Sequence, residues 1–588
     1  MVKLLNFKDM RKIFLSFVLM LSAVSVMAAY YVAGNGASGN PWCDGKSWVV
    51  NGSPMTDQGN GTWAVTFQSV PVGSYEFKVT NGASTWYGIS KFSQDGSNIT
   101  CYGSDNIQFM LSEAQNLTVT FNGSKICLQG SKGEQEPDPE DIGATGVPAE
   151  YEGVMLQAFY WESQKLTTFH RTKYIDLIEY ADAIGTNFDA VWMPPSGQGG
   201  GVGYYTKQYS NLESDWGTKA KLLELLGKLH AHDCKVLADV VINHHASNNG
   251  WAKGFAINNF GEYGTYQIKS KYICSGDECF TSSSSDSKNL EKGGADTGTN
   301  DGGCRDLDHS NVYVQKMCKA YTQWLLNTIG FDGFRYDMTL GYAGQYLSMY
   351  NLASRPFLSV SECWESLSVI QTHLKATNYN TMAFDFPLKY KFNDWKGGSS
   401  YSYLKNPSLR NKGLSKYAVT FIDNHDTFRR SNGQEFLGDN TDINQKKRQI
   451  VEANAYLLMM PGVPCVFWPH WYTFPDDINQ LIAIRKKAGI HSESAVTDEA
   501  ASTNKYKATI TGHRAQVFLR MGSKREDYAA PEGFTLELAG DNFDIYISEL
   551  TPVDNISVQP LATKLIDNGT MYILKDGTRY TIDGRKAQ

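Results

Sequence analysis

The alternation of hydrophobic and polar positions divides the chain into parts with different rhythms. Residues 30–130 carry short alternating runs such as "TWAVTF" and "YEFKV", broken at intervals of about eight to twelve residues by Gly, Asn, Ser or Pro. This pattern predicts an N-terminal β-sandwich domain. Residues 131–150 lose the hydrophobic pattern and become acidic and rich in Pro and Gly, which is typical of an extended linker.

Short apolar runs alternate with helical patterns over residues 151–492, and this βα order implies a parallel sheet. The helical period is clear in "KAKLLELLGKLHAH", where four leucines share one face. The candidate strands are "GVMLQAF", "FDAVWM", "KVLADVVI", "GFRYD", "FLSVSE", "TMAFDF", "YAVTFID" and "VPCVFW". These strands predict an α/β fold, a (β/α)8 TIM barrel. Residues 493–588 return to strand-like runs such as "HRAQVFLRM", which predict a C-terminal β-sandwich domain and tail.

A long insertion follows the third predicted strand. Residues 245–310 are rich in Gly, Ser, Asn and Asp, and this segment far exceeds the ~2 to 6 residues of an ordinary βα loop. In a (β/α)8 barrel the active site is built from loops at the C-terminal ends of the strands. We therefore expect an inserted loop domain that shapes a cleft or holds a metal ion, with a floppy insertion as the alternative.

Polar residues cluster at the predicted C-terminal ends of four strands. "DVVINHH" begins at Asp239, "GFRYD" ends at Asp337, "SVSE" ends at Glu362, and "FIDNHD" ends at Asp426. Residues two apart in a strand point to the same side, so Arg335 and Asp337 should face one space. A single strand end of this kind is typical of a structural ion pair, whereas four of them indicate a shared cleft.

Acids gathered in one cleft indicate glycoside hydrolysis, in which one carboxylate attacks the anomeric carbon and a second protonates the leaving oxygen. Arg335, permanently charged, is expected to keep Asp337 ionised as the nucleophile. Glu362, next to apolar neighbours, is expected to have a raised pKa and act as the acid. Asp426 would help to bind and distort the sugar, and two histidines would donate to its hydroxyls, His244 and His425.

Composition and charge narrow the classes of function. The 588 residues carry a net charge of −7 and no long basic block, so nucleic acid is excluded as an expected partner. The N-terminus has basic residues, then "IFLSFVLMLSAVSVM" and then Ala28 and Ala29, which is typical of a signal peptide over residues 1–29. No later run approaches the ~20 apolar residues of a membrane span. We expect a secreted protein, extracellular or periplasmic.

The ten cysteines suit an oxidising compartment but do not fix any pairing. Cys274 and Cys279, in "CSGDEC", are the best local candidates for a disulfide, and a zinc site there is a weaker alternative. Three others lie in apolar runs and are expected to be buried free thiols, namely Cys234, Cys363 and Cys465.

Four segments, "DVVINH", "GFRYD", "SECW" and "FIDNHD", resemble in order the signature segments of the α-amylase family (glycoside hydrolase family 13), and "CRDLDHSN" resembles a fifth. The similarity extends over about residues 152–490, where segments such as "VMLQAFYWES" and "PGVPCVFW" resemble the α-amylases of plants and related bacterial enzymes. The resemblance implies Asp337 as nucleophile, Glu362 as general acid/base and Asp426 as transition-state stabiliser. It implies that three further residues bind substrate, namely Arg335, His244 and His425.

The same resemblance implies a calcium ion between the barrel and the inserted loop. Asn243 and Asp308 resemble its ligands, joined by a backbone carbonyl near Gly341, and oxygen ligands suit this cation. Tyr204 resembles the tyrosine that stacks on the sugar beside the cut bond, with Tyr205 as the alternative. A Lys common after the nucleophile in relatives is absent from "DMTLGY", which removes one expected sugar contact.

These observations predict an endo-acting α-amylase that cuts internal α-1,4-glucosidic bonds of starch, glycogen or maltooligosaccharides with retention. Two alternatives share the fold, a glucanotransferase and a maltodextrin hydrolase. A third is a starch-binding protein without catalysis, against which the intact acids argue. We expect a monomer, with the N-terminal sandwich as a starch-binding module, for which Trp42, Trp48, Trp63 and Trp86 are candidate sugar contacts.

Overall fold

The computed structural model describes residues 30–37, 40–58, 61–71, 73–111, 115–131, 145–300, 302–395, 399–405, 408–428, 436, 443–549, 563–567, 570–575 and 578–581. The predicted signal peptide and most of the predicted linker lie outside these residues. The chain separates into two compact units, Met1–Asp138 and Pro139–Gln588.

The first unit contains two antiparallel sheets around a shared core. Gly73–Thr80 is the central strand of one sheet and pairs with Tyr31–Gly34, Trp86–Tyr87 and Ile107–Leu111. Ser53–Pro54 pairs with the other edge of Tyr31–Gly34. The other sheet contains Thr56–Asp57, Trp63–Val70, Gln115–Phe121 and Ile126–Ser131. Alternate residues such as Phe77 and Val79 are fully buried, so the alternation in the sequence marks the faces that form the core.

The second unit is built on a closed barrel of eight parallel strands. We label them β1 Met155–Gln157, β2 Ala190–Trp192, β3 Lys235–Val240, β4 Gly333–Tyr336, β5 Leu358–Ser361, β6 Met382–Phe384, β7 Ala418–Phe421 and β8 Val463–Phe467. Pairing of β1 with β8 closes the barrel. Nearly every strand residue is buried, which explains the continuous apolar runs of the sequence. The predicted barrel is confirmed.

Helices surround the barrel. They are α1 Tyr174–Asn187, α2 Lys219–His230, α3 Val312–Trp324, α4 Gly344–Ser354, α5 Leu367–Ala376, α6 Phe386–Trp395, α7 Lys447–Met459 and α8 Pro475–Ala488. The four leucines on one face of α2 are all buried, as the helical period predicted, whereas Leu223 on the opposite side is exposed. Thr218 caps α2 by accepting from the Lys221 N–H, and a left-handed Gly489 ends α8.

The insertion between β3 and α3 has its own secondary structure. His244–His245 pairs with Arg305–Asp306, and Ile257–Asn259 pairs with Thr265–Gln267. The second pair is a hairpin within the segment that the first pair closes. A short helix, Glu278–Thr281, follows this hairpin in sequence. The first pair joins the last residues of the insertion to the residues that follow β3, so both ends of the insertion lie at the C-terminal edge of the barrel.

The C-terminal part contains a five-stranded antiparallel sheet, in the order Ala495–Ala501, Tyr506–Thr511, Ala515–Met521, Phe543–Glu549, Thr535–Ala539. Its buried face joins the core of the barrel unit, where the rings of Tyr456 on α7 and Tyr506 lie 5.5 Å apart. The layer facing this sheet is therefore formed by barrel helices. A separate three-stranded sheet follows, formed by Thr563–Asp567, Thr570–Lys575 and Thr578–Thr581.

All ten cysteines are free thiols in the structure, so the predicted Cys274–Cys279 disulfide is wrong. Both thiols lie near Asp277, at the start of the short helix, and Cys274 also lies near the charges of Asp296 and Asp308. Cys234, Cys363 and Cys465 are buried thiols, as predicted. Within the described residues, no helix is long and apolar enough to cross a membrane.

Candidate active site

Arg335 lies at the centre of three carboxylates at the C-terminal edge of the barrel. Its Nη1 donates to Asp239 Oδ1 at 2.8 Å and to Asp337 Oδ1 at 2.7 Å. Its Nη2 lies 2.7 Å from Glu362 Oε1. The arginine and all three acids are buried, so one guanidinium holds three carboxylates together away from bulk water.

Strand register explains this arrangement. Asp239 on β3 is paired with Arg335 on β4, and side chains of paired residues point to the same face. Asp337 directly follows β4 and Glu362 directly follows β5. The predicted contact between positions two apart is present, because Arg335 and Asp337 lean into the same space at the strand end.

Two aromatic rings enclose the guanidinium. The Arg335 Cζ lies 5.0 Å from the centre of the Trp192 ring and 5.6 Å from that of Tyr204. Both rings also donate to Asp239 Oδ2, from Trp192 Nε1 at 3.0 Å and from Tyr204 Oη at 2.9 Å. Asp239 thus accepts three hydrogen bonds and fixes the arginine and its aromatic neighbours in place.

The electrostatic balance differs from the sequence-based expectation for Asp337. Burial raises the pKa of Asp337 well above its usual range; Arg335 opposes this rise, and the charges of Glu362 and Asp239 add to it. Burial likewise raises the pKa of Asp239 against the effect of Arg335. The single positive charge of Arg335 is shared by three buried carboxylates, which limits how far it lowers the pKa of Asp337.

Glu362 is held by its neighbours on both carboxylate oxygens. Its Oε2 accepts the Met338 N–H at 3.0 Å, while Oε1 contacts Arg335. The hydroxyl of Thr339 donates to the Glu362 backbone carbonyl at 2.8 Å. These contacts join the segment after β4 to the segment after β5, so the positions of Asp337 and Glu362 depend on each other.

His425 and Asp426 complete the edge after β7. Gln157 Nε2, at the end of β1, lies 3.0 Å from His425 Nδ1, and His425 Nε2 lies 3.0 Å from Asp426 Oδ2. His244 is buried and its Nε2 lies 2.9 Å from the Tyr204 backbone carbonyl. The predicted residues therefore reach one site from strands β3, β4, β5 and β7.

A parallel aromatic wall forms one side of the site. The rings of Tyr204 and His425 lie 5.2 Å apart with an angle of 7° between their planes. Trp161 is parallel to both, at 6.3 Å from Tyr204 and 6.1 Å from His425. Tyr204 is almost fully buried, whereas Tyr205 is 50% exposed. Tyr204 therefore has a structural role in the wall, and Tyr205 is the freer of the two rings.

These groups line an open cleft of about 250 Å³. Carboxylates stand opposite aromatic and sulfur-containing surfaces within it, a combination that suits a ligand with both hydroxyl groups and apolar faces. The lining residues are Trp161, Tyr204, Tyr205, His244, Asp337, Met338, Glu362, Trp364, His425 and Asp426.

The segment after β3 contains a buried oxygen that suits a cation. Among the described residues, Asn243 Oδ1 is buried without a hydrogen-bond partner. It adjoins the Gly341 backbone so closely that an added Cβ on Gly341 would lie 1.7 Å from it. Asp306 Oδ1 lies 3.5 Å from Asn243 Nδ2. An amide oxygen, a nearby backbone and a carboxylate form a donor set of the type that calcium prefers.

Asp308 makes other contacts. Its Oδ2 accepts the Gly294 N–H at 2.6 Å, and its Oδ1 accepts from Ser310 through the backbone N–H at 3.0 Å and the hydroxyl at 2.5 Å. Both oxygens thus brace the inserted loop. Asp306, two residues earlier, is the carboxylate that contacts Asn243.

Comparison with known proteins decides the family. Residues 173–470, about half of the chain, match the model of the α-amylase catalytic domain. A probable α-amylase 2 of Arabidopsis thaliana is 30% identical over 435 residues, which span 70% of this chain and 97% of the plant protein. The chain belongs to the α-amylase family. It is a glycoside hydrolase, and its relatives support an amylolytic activity.

Further relatives agree with this family assignment. A glucan 1,4-α-maltotetraohydrolase of Stutzerimonas stutzeri is 28% identical over 404 residues, which span 63% of this chain and 68% of that enzyme. The crystal structure of a Geobacillus thermoleovorans α-amylase complexed with acarbose covers 67% of this chain and 98% of its own, with a TM-score of 0.50 and 16% identity. At that identity, the structural match supports the fold alone.

Several residues of the site in this α-amylase-family chain had no role predicted from the sequence. Asp239 opens the segment "DVVINHH" and Trp192 ends β2, but their shared contact depends on the closed barrel. Gln157 ends β1, and Trp161 follows four residues later, in "MLQAFYW". The available signal was their position, since polar and aromatic residues at the ends of barrel strands face the site.

Proposed function

We propose that this chain is a retaining, endo-acting α-amylase that hydrolyses internal α-1,4-glucosidic bonds of starch, glycogen and maltooligosaccharides. The observation that supports it most is the pair Asp337 and Glu362, both held by Arg335 at 2.7 Å in an open cleft. A common anchor keeps two carboxylates close, as retention requires, because a nucleophile and an acid must flank one bond.

Asp337 and Glu362 act in sequence in the proposed reaction. Asp337 attacks the anomeric carbon while Glu362 gives its proton to the glycosidic oxygen, and the bond between carbon and that oxygen breaks. A glycosyl ester on Asp337 results. Glu362 then takes a proton from a water molecule, whose oxygen attacks the anomeric carbon and releases Asp337. The sugar leaves with its original α configuration because the carbon is inverted twice.

The assignment of roles sets a requirement on the protons of the buried cluster. The reaction needs one proton on the pair, located on Glu362, while Asp337 is ionised. Asp337, Glu362 and Asp239 share a single guanidinium, and burial raises the pKa of Asp337 and of Asp239. Burial thus works against ionisation of the nucleophile Asp337, and Arg335 opposes that effect. Substrate binding must then place that proton on Glu362, facing the leaving oxygen.

Asp426 is proposed to stabilise positive charge on the sugar in the transition state. Its Oδ2 lies 3.0 Å from His425 Nε2, which fixes its direction toward the cleft. His425 and His244 both line the cleft and are proposed to donate to sugar hydroxyls. Tyr204 is proposed to form part of the wall against which the sugar ring packs, and Arg335 to orient the carboxylates.

Product analysis tests this proposal. Wild type, Asp337→Asn and the surface variant Asp394→Asn are incubated with soluble starch in the presence of calcium. We expect wild type and Asp394→Asn to shorten long chains rapidly and to release α-anomeric products, and Asp337→Asn to release none. β-Anomeric products would contradict retention. Shortening by single end units would contradict endo action.

The alternatives give different products in the same assay. A glucanotransferase would form longer or cyclic glucans without a net gain of free reducing ends, because a sugar hydroxyl replaces water in the second step. A maltodextrin hydrolase would cut short oligosaccharides much faster than starch. A binding protein would retain starch without cleavage by any variant, although the intact Asp337, Glu362 and Asp426 argue against it.

We also propose a calcium ion that joins the segment after β3 to the segment after β4. Asn243 through Oδ1 and a backbone carbonyl near Gly341 would hold it, and the predicted Asp308 ligand is joined or replaced by Asp306, whose carboxylate contacts Asn243. The ion would fix the inserted loop and so shape the cleft. Chelation should lower the melting temperature of wild type. An equal loss in Asn243→Ala would contradict this site.

The N-terminal sandwich is proposed to bind starch through one face of a sheet. Tyr31 and Trp86 pair with Thr80 from opposite sides, so their side chains share a face. Trp86 is 37% exposed, whereas Trp42 is fully buried and Trp63 packs on Tyr30 at 5.6 Å. Of the four candidate tryptophans, Trp86 is the one that is exposed, since Trp48 and Trp63 are half-buried.

We further propose that the chain is exported, with residues 1–29 removed, and acts as a monomer outside the cytoplasm. The apolar run and small residues before Tyr30 support export. Mature protein recovered from the medium or periplasm should begin near residue 29 or 30 and should elute as a single chain. An uncleaved N-terminus or a stable dimer would contradict these two points respectively.

A further inference from the structure

A cluster of two histidines and a glutamate lies outside the cleft, where the start of the barrel meets the C-terminal sheet. Glu150 precedes β1, His491 follows α8, and His513 lies in the turn between Tyr506–Thr511 and Ala515–Met521. One possible ligand atom from each lies within 4.8 Å of those of the other two. Three separate segments of the barrel unit thus converge at this point.

The imidazole of His513 is already oriented for binding. Its Nδ1 lies 2.8 Å from Glu152 Oε1, and its Nε2 lies 3.5 Å from Glu150 Oε2. Arg514 donates to both oxygens of Glu152, at 3.1 and 2.5 Å, which keeps that carboxylate ionised. A carboxylate at Nδ1 orients the ring so that Nε2 points toward Glu150, and a carboxylate in that position is a common partner of histidine ligands of metals.

His491 provides the second imidazole. Its ring stacks on that of His513, with centroids 4.1 Å apart and planes at 12°. His491 is buried, so its ring is held in place beside that of His513. The Glu493 N–H donates to His491 Nδ1 at a long distance of 3.3 Å. An imidazole binds a metal in the plane of its ring, so the two stacked rings cannot both face one ion as they stand. Rotation of His491 about χ2 would separate its ring from that of His513, and among the described residues the only hydrogen bond it would break is the long one from Glu493.

The charges around the cluster favour a cation. Three carboxylates lie around the two imidazoles, because Glu150 and Glu152 contact His513 and Glu493 accepts the Glu150 N–H at 2.9 Å. Two cations offset them in part, Arg514 on Glu152 and Lys416 at 3.8 Å from Glu493. One negative charge therefore remains without a matching cation among these groups.

We propose that Glu150, His491 and His513 form a binding site for a divalent transition-metal ion, zinc above all. Two imidazole nitrogens and one carboxylate oxygen are a donor set that zinc takes, with water at the fourth position. Bonds of about 2.0 to 2.1 Å in a tetrahedron place neighbouring ligand atoms roughly 3.4 Å apart, close to the 3.5 Å between His513 Nε2 and Glu150 Oε2.

The bound ion would join three segments of the chain. It would hold the residues before β1, the end of α8 and a turn of the C-terminal sheet, and so would stabilise the contact between barrel and sheet. The site shares no residue with the catalytic cleft or with the proposed calcium site. The proposal therefore stands or falls independently of the enzymatic function.

Zinc titration of the full chain tests the proposal. Wild-type protein is stripped with a chelator, returned to buffer with excess calcium, and titrated with zinc by calorimetry, followed by thermal unfolding. We expect zinc binding that raises the melting temperature of wild type. His513→Gln and Glu150→Gln should lose this binding and this rise. Glu152→Gln should weaken binding roughly tenfold, since it removes the group that orients His513.

The surface variant His232→Gln is the matched control, because His232 pairs with a carboxylate, Asp182 at 3.1 Å, outside this cluster. It should bind zinc as wild type does. Glu150 is exposed, so Glu150→Gln should fold and keeps the test decisive if His513→Gln does not. Absence of zinc binding by wild type, or equal binding and an equal thermal shift in Glu150→Gln, would overturn the site.

Discussion

Asp239 shows how a residue without contact to substrate can govern the site. It accepts hydrogen bonds from Arg335, Trp192 and Tyr204, and it adds negative charge beside Asp337. The buried cluster is thus one connected unit, in which position and proton affinity are set together. Substitution of Asp239 should change both, and kcat and the pH profile report on them separately.

Asp239→Asn should reduce kcat by roughly 10²-fold through misplacement of Arg335 and Asp337. It should also move the acidic limb of kcat/KM to lower pH, because the charge of Asp239 raises the pKa of Asp337. A pH profile of kcat/KM on a soluble maltooligosaccharide measures the shift. A reduced rate with an unmoved or upward-shifted acidic limb would contradict this coupling.

Tyr204 and Tyr205 offer a matched pair with different roles. Tyr204→Phe leaves the buried Asp239 Oδ2 one donor short and should cost about 1–3 kcal/mol of folding stability. Tyr205 is half-exposed, so Tyr205→Phe should change stability by no more than about 0.5 kcal/mol. Denaturant unfolding of both variants measures the difference. Equal losses would show that the Tyr204 hydroxyl does not support Asp239.

At the scale of elements, α7 joins the barrel to the C-terminal sheet through a buried glutamate. Glu452 Oε1 accepts from the Tyr401 hydroxyl at 2.5 Å and from Asn542 Nδ2 at 2.8 Å. Burial raises the pKa of Glu452 to about 7. The junction therefore holds a carboxyl group that remains protonated at pH values where an exposed glutamate is ionised.

Glu452 should make stability depend on pH. Between pH values of about 4.5 and 7 the folded chain keeps a proton that the unfolded chain releases, so stability falls as pH rises, by up to about 3 kcal/mol. Glu452→Gln should flatten the melting temperature from about pH 5 to about pH 8, while the exposed control Glu224→Gln should not. A slope unchanged in Glu452→Gln would contradict this assignment.

Gly341 should be intolerant of a side chain. An added Cβ would lie 1.7 Å from Asn243 Oδ1, so Gly341→Ala must displace the segment after β4 or the segment after β3. We expect a lower melting temperature in calcium and weaker calcium binding. Gly227→Ala, in α2, meets no atom within 4 Å and should be neutral or stabilising by up to about 1 kcal/mol. Similar behaviour of the two variants would argue against the close approach.

At the scale of the whole molecule, the sandwich and the barrel unit divide the expected work between binding and cleavage. Trp86→Ala should weaken retention of the full-length protein on insoluble starch, with little effect on kcat/KM for a short soluble oligosaccharide. Trp86 is partly exposed on its sheet, so its loss should spare the fold. Equal retention of wild type and variant in affinity electrophoresis would remove Trp86 from the binding face.

The sequence was informative where the structure depends on local periodicity. Buried strands read as apolar runs, α2 showed its buried leucines, and the strand ends located Asp337, Glu362 and Asp426. Contacts that depend on closure of the barrel were not predictable, such as that of Asp239 with Tyr204, 35 residues away. Side-chain direction in irregular segments was also hidden, which explains the wrong disulfide and the unexpected contact of Asp306 with Asn243.

The most direct test of the central claim is to trap the covalent intermediate on the nucleophile. The full-length enzyme is incubated with a fluorinated α-glucosyl fluoride, which forms the glycosyl ester but releases it slowly, and the labelled peptide is identified by mass spectrometry. We expect one sugar per chain attached to Asp337, and none on Asp337→Asn. Attachment to Glu362 or Asp239, or turnover of the reagent without any labelled enzyme, would contradict it.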